Sequence, residues 1–203
     1  MSVTINSQEI LRDVIVVGAS AGGIRAVISL LSRLPADLPA FMGVVIHRGA
    51  VSMSNWSHSL ASKTMLKVVE PTHGDSLVHG VVYVAPSDCH MTFAAGRIAL
   101  DGGAKEHLTR PAVDPLFISA AQAYGPRVVG VVLTGGGHDG MQGLLSITNA
   151  GGLSLVQKPS EAAHASMPAY AIAHDHVRAA LTIEEIGDAL LLLAQGRTVT
   201  ADT

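Results

Sequence analysis

A chain of 203 residues suits one folded unit, because a single core commonly serves about 100–250 residues. Hydrophobic residues make up 48% and charged residues 14%, which excludes a disordered chain. The net charge of −3 comes without any basic run, so neither nucleic acid nor a membrane surface is expected as a partner.

The opening MSVTINSQEILRD lacks the basic and apolar regions of a signal peptide, and no apolar run reaches the roughly 18 residues of a membrane helix. The lone Cys89 precludes an internal disulfide, and a cytoplasmic location is expected. VIVVG (14–18) is a β-branched run typical of a strand buried on both faces. A helix follows, with Ile24, Val27, Ile28 and Leu31 at helical spacing and Pro35 beyond its end. GVVIH (43–47) is a second buried strand, and 54–64 reads as a helix capped by Ser54. From 67 to 101 short strands alternate with Gly, Pro and Asp turns, which predicts an antiparallel hairpin excursion. A helix is expected from about Asp114, itself read first as its N-cap and second as a site residue. Then come a third buried strand within 127–137, a helix stopped by Gly151 and Gly152, and a fourth strand, LSLVQ (153–157). A short helix carries Pro168 in its first turn, and a last helix opens on the capping-box spacing Thr182 to Glu185. Strand–helix alternation of this kind predicts an α/β fold: a three-layer α/β/α sandwich with a mostly parallel sheet and a small antiparallel hairpin. Residues 13–197 are expected to form the one domain, with tails at 1–12 and 198–203.

Three residues sit at equivalent places just beyond buried strands: Ser20, His47 and Asp139. In open α/β sheets, sites form outside the carboxyl ends of the strands, so all three can face one crevice. Ser20 stands in Gly18-Ala19-Ser20-Ala21-Gly22, a G-x-S-x-G turn that exposes a serine hydroxyl at the sheet edge. The backbone N–H groups of Ala21 and Gly22 are the natural oxyanion donors there. Serine alone is a weak nucleophile; His47 can serve as its base and Asp139 can orient and charge-balance the imidazole. The order Ser…His…Asp differs from the Ser…Asp/Glu…His order of α/β-hydrolases. The motif taken alone is weak, and a structural or phosphate-cradling turn remains an alternative.

The surrounding residues resemble the chemotaxis protein-glutamate methylesterases, the CheB catalytic domain. The resemblance runs from about Asp13 to Gln195 and rests on VIVVGASAGG, VVIHRG, YVAPSDCH (83–90), RPAVDPLF (110–117), LTGGGHDG (133–140), LVQ and Met167-Pro168. It implies a serine esterase, with the triad Ser20, His47 and Asp139, that demethylates glutamyl methyl esters on the cytoplasmic region of chemoreceptors and in some members deamidates glutamine. It implies no cofactor. The family's usual receiver domain and linker are absent from these 203 residues. The chain departs from the pattern at Ala21, Ile46, Gly136 and His138, and a non-catalytic binding or scaffolding member is the competing expectation. Gly136, His138, His90 and Met167 are expected around the cleft. His174-Asp175-His176 reads as a surface loop and no metal site is expected. Arg110 reads as a solvated arginine. Oligomeric state is not encoded in any feature of the sequence.

Overall fold

The buried β-branched runs become the centre of a seven-stranded sheet in the computed structural model, which describes residues 10–47, 56–94, 96–174, 177 and 179–197. The elements are β1 (Val14–Ala19), α1 (Gly23–Leu31), β2 (Phe41–Ile46), α2 (Trp56–Ala61), β3 (Lys67–Val69), β4 (Val81–Val84), β5 (His90–Ala94) and β6 (Arg97–Asp101). They continue with α3 (Val113–Tyr124), β7 (Val128–Val132), α4 (Met141–Asn149), β8 (Leu153–Gln157), α5 (Ser166–His174), β9 (Ala179–Leu181) and α6 (Ile183–Ala194). The strand order is β3-β4-β2-β1-β7-β8-β9, and every pairing within it is parallel. Every residue of β1, β2 and β7 is buried, as expected of parallel strands covered on both faces.

Successive side chains of a strand point to opposite faces, so the sheet divides the core in two. Ile15, Val17 and Ala19 of β1 pack with Val27, Leu30 and Leu31 of α1 and with Ile186, Leu190 and Leu193 of α6. Val14 and Val16 face the other way, with Leu116 and Phe117 of α3, Leu144 and Ile147 of α4 and Ala171 of α5. This is the expected three-layer α/β/α arrangement. The α6 capping box is present: Glu185 N–H donates to Thr182 Oγ1 at 3.2 Å and Thr182 N–H to Glu185 Oε2 at 2.8 Å.

Several local expectations shift. In α1 the buried stripe is Gly23, Ala26, Val27, Leu30 and Leu31; Ile24 and Ile28 lie at its half-buried edge. Of the strands between 67 and 101, only β5 and β6 form the antiparallel hairpin, whereas β3 and β4 extend the parallel sheet. Asp114 is not an N-cap: Ala112 holds that position, and Asp114 lies in the first turn of α3. Ser54, Asp175, His176 and the tail residues 1–9 and 198–203 lie outside the described residues. Among the described residues, no helix is long and apolar enough to cross a membrane.

Consecutive strands leave β1 in opposite directions: β2 and β4 lie to one side, β7 and β8 to the other. The crevice at such a reversal lies beyond the carboxyl ends of the strands. Ser20 follows β1, His47 follows β2, and the loop from Leu133 to Gly140 follows β7.

Candidate active site

Strand ends fix the backbone of each candidate. Ser20 N–H donates to Thr134 O at 3.0 Å, which ties the turn after β1 to the loop after β7. His47 N–H donates to Ala19 O at 2.9 Å, which extends the β1–β2 ladder one residue and sets the histidine beside Ser20. A cleft of about 430 Å³ is lined by Ser20, His47, His107, Leu108, Gly136, His138 and Asp139.

The glycines of the turn have different tasks. Gly22 has φ +77°, a left-handed conformation that admits an immediate helix start at Gly23. Among the described residues no hydrogen bond engages the N–H groups of Ala21 and Gly22, which immediately precede α1. Gly135 is needed for close approach: a Cβ there would stand 2.8 Å from Ser20 Cβ and 2.6 Å from Met167 Sδ. Gly136 is the opposite case, with nothing within 4 Å of the place a Cβ would take.

Asp139 is 2% exposed, and both of its oxygens accept hydrogen bonds. Its Oδ2 lies 2.6 Å from His47 Nε2 and accepts from Val113 N–H at 2.7 Å, while Oδ1 accepts from Asp114 N–H at 3.0 Å. Burial alone pushes this carboxyl up; the hydrogen bonds from His47, Val113 and Asp114 outweigh it and hold it below the ordinary aspartate value. An ionised Asp139 makes Nε2–H the donor, leaving Nδ1 as the ring nitrogen with a free lone pair.

A second His–Asp pair adjoins the first, and no sequence pattern marks it as a pair. His107 Nε2 lies 2.9 Å from Asp114 Oδ2 and 3.8 Å from Asp139 Oδ1. Asp114 Oδ1 also accepts from Gly143 N–H of α4 at 2.7 Å. Burial pushes the Asp114 carboxyl up, and the charge of Asp139 adds to this; the bonds from Gly143 and His107 offset them only in part. The loop that delivers His107 has positive φ at His107 and Leu108 and a cis Arg110–Pro111 bond, features without a local sequence signature.

The remaining candidates separate. His138 lines the cleft, its ring edge-on to His107 with centroids 4.9 Å apart and tilted against Tyr170 at 5.4 Å. Met167 is buried beneath Gly135, and its N–H donates to Gly135 O at 3.0 Å. His90 is not among the cleft-lining residues. It is 5% exposed, its Nδ1 accepts from Ala112 N–H at 3.3 Å, and its Nε2 lies 2.9 Å from Ala104 O, so it braces the loop before α3. Arg110 is not free either: it pairs with Asp88 at 2.7 Å and donates to the carbonyls of Gly102 and Gly103.

A serine, a histidine and a buried aspartate, gathered at the strand ends of a doubly wound parallel sheet, are the residue set of a serine hydrolase. The CheB methylesterase family profile matches residues 15–190. This chain belongs to that family. It is 40% identical over 178 residues to a protein-glutamate methylesterase/protein-glutamine glutaminase 2 of Anaeromyxobacter dehalogenans, covering 88% of this chain and 52% of the relative. A Leptospira interrogans protein, provisionally named for the same two activities, is 35% identical and is covered over 95% of its length, with 90% of this chain matched. The crystal structure of the Thermotoga maritima CheB methylesterase catalytic domain superposes with a TM-score of 0.84 at 30% identity, covering 88% of this chain and 97% of that one. The chain spans about half the length of several curated relatives it matches.

Proposed function

We propose that this chain is a protein-glutamate methylesterase that hydrolyses glutamyl methyl esters on the cytoplasmic region of chemoreceptors, with Ser20 as nucleophile. The observation that carries the reading is the 2.6 Å contact between His47 Nε2 and buried Asp139, in a cleft that both line together with Ser20. Asp139 fixes the tautomer, so His47 Nδ1 takes the Ser20 proton as Oγ attacks the ester carbonyl. The carbonyl oxygen becomes an oxyanion, held by the N–H groups of Ala21 and Gly22; losing one such donor is worth roughly 100-fold in rate. His47 returns the proton to the departing methoxide, methanol leaves, and a glutamyl–Ser20 ester remains. Water, deprotonated by His47, then releases the glutamate carboxylate. The same cycle on a glutamine side chain releases ammonia in place of methanol. The reaction runs in the cytoplasm, without a cofactor, and residues 13–197 form the catalytic domain.

The runner-up is a family member that binds a signalling partner without turnover. It draws on Gly136, where the cleft wall carries no side chain. Methanol release from a methylated receptor fragment separates the two. The esterase reading predicts release that is lost in Ser20→Ala; no release from wild type across several methylated receptors moves the reading to the binding module.

A further inference from the structure

We propose that the His107–Asp114 pair and Asp139 together form a binding site for a zinc-class divalent cation, which inhibits the esterase by engaging its triad aspartate. The inhibitory consequence rests on the reading of Ser20, His47 and Asp139 as the triad; the binding site does not.

Among the described residues this is the cluster that brings one imidazole and two carboxylates together, with one ligand atom from each lying within 4.8 Å of the others. Both aspartates are 2% exposed. Asp139 Oδ1 accepts one backbone hydrogen bond and Asp114 Oδ2 accepts none, so each retains lone-pair capacity toward His107. His107 Nε2 stands between them, 2.9 Å from one and 3.8 Å from the other. Tetrahedral zinc with ligand bonds of 2.0–2.2 Å separates its ligands by about 3.3 Å. A shift of the His107 ring by about half an ångström within its loop equalises its two spacings, and the two carboxylates, which lie within 4.8 Å of each other, close on the ion to complete the three.

Charge and softness favour the same class of ion. Two neighbouring carboxylates removed from water present two negative charges, and a divalent cation cancels both. Binding replaces the proton on His107 Nε2, which leaves to solvent as the nitrogen lone pair takes the metal. An imidazole beside carboxylates suits zinc and its first-row neighbours, whereas magnesium prefers oxygen ligands and keeps its waters. The open side of the site is the cleft: the His107 side chain is 29% exposed and lines it. A metal on Oδ1 leaves Oδ2 on His47 but withdraws the negative charge that stabilises the imidazolium formed when Ser20 attacks.

The test titrates Zn²⁺ calorimetrically into the full untagged chain and compares variants whose folding is checked by circular dichroism. One tight equivalent is expected in wild type. His107→Gln and Asp114→Asn are expected to weaken it at least about tenfold, and His107→Cys, which restores a zinc ligand, to recover it. His79→Ala alters another His–Asp pair, with His79 Nε2 3.1 Å from Asp13 Oδ2, and is expected to leave the tight equivalent intact. Wild type and His107→Gln with equal affinity, no tight equivalent in wild type, or its loss in His79→Ala would each overturn the site. Saturating Zn²⁺ is expected to slow fluorophosphonate labelling of Ser20 in wild type far more than in His107→Gln; undiminished labelling of zinc-loaded wild type overturns the inhibition. Zinc binding in the expected pattern, in a chain whose metal-free Ser20 takes no probe, would uphold the site and sink the esterase reading.

Discussion

Two buried aspartates stand at opposite ends of the parallel sheet, each 2% exposed and each held by a neighbouring cation or cation-forming ring. Asp13 precedes β1. Arg127 donates to it twice, Nε to Oδ1 at 2.8 Å and Nη2 to Oδ2 at 2.7 Å, and His79 Nε2 lies 3.1 Å from it. Asp139 follows β7 and holds His47. In both, burial pushes the carboxyl up and the partners more than reverse it. What differs is the partner. At Asp13 the main partner is arginine, always charged and presenting a rigid fork to both oxygens, and His79 only adds to that fixed pair, so this aspartate fastens the amino end of the sheet. Histidine changes its charge within reach of neutral pH, so the same carboxylate environment at the other end can support proton transfer. The same burial physics thus fastens structure at one edge and, on the function proposed above, supports chemistry at the other.

Substitutions at the two ends put that contrast to the test. The largest effect is expected from Asp139→Asn. Amide for carboxylate leaves the shape but loses the tautomer control, and kcat for methyl ester hydrolysis should fall by roughly 10⁴-fold. Gly135→Ala comes next, because its Cβ would collide with Ser20 Cβ and Met167 Sδ. Displacing the nucleophile by about an ångström should lower kcat/KM by about 100-fold, read in the same assay. Asp13→Asn acts on stability and not on chemistry. Loss of the charged bonds to the half-exposed Arg127 should cost about 2 kcal/mol in denaturant unfolding, with kcat close to wild type. Because the folded Asp13 carboxyl lies below its ordinary value, its stabilisation is present above about pH 4 and is lost as pH falls through the folded value. Acid unfolding of Asp13→Asn should therefore lack that part of the slope. The smallest effect is expected at Gly136→Ala, where open space surrounds the position, and stability should stay within about 0.5 kcal/mol. A kcat loss in Asp13→Asn comparable to that of Asp139→Asn would erase the distinction between the two ends.

Local signals made the central strands legible. Continuous β-branched runs such as VIVV and GVVI have no polar face to turn to water, and the Thr182–Glu185 spacing encodes its own cap. Short edge strands were harder. β9 consists of Ala179, Ala180 and Leu181, a segment without β-branched residues that is a strand because β8 offers it a partner. β3 and β4 carry strand composition, but their parallel placement depends on β4 pairing with β2 and β3 with β4. At the site, Ser20 and His47 each follow a buried strand and Asp139 closes the loop after β7, and the structure places all three around one cleft. The His107–Asp114 pair was not legible, because a loop with left-handed residues folds seven positions of chain back on themselves. Asp114 fitted the N-cap pattern, yet its side chain accepts from Gly143 N–H of α4 and faces His107, a contact set by tertiary packing.

Activation of Ser20 by His47 and Asp139 can be read by fluorophosphonate labelling, with the adduct mapped by mass spectrometry. One adduct is expected, on Ser20, formed rapidly in wild type and at a rate lowered by orders of magnitude in His47→Ala and Asp139→Asn. An unlabelled wild-type Ser20, or labelling that proceeds equally fast without His47, would overturn the triad.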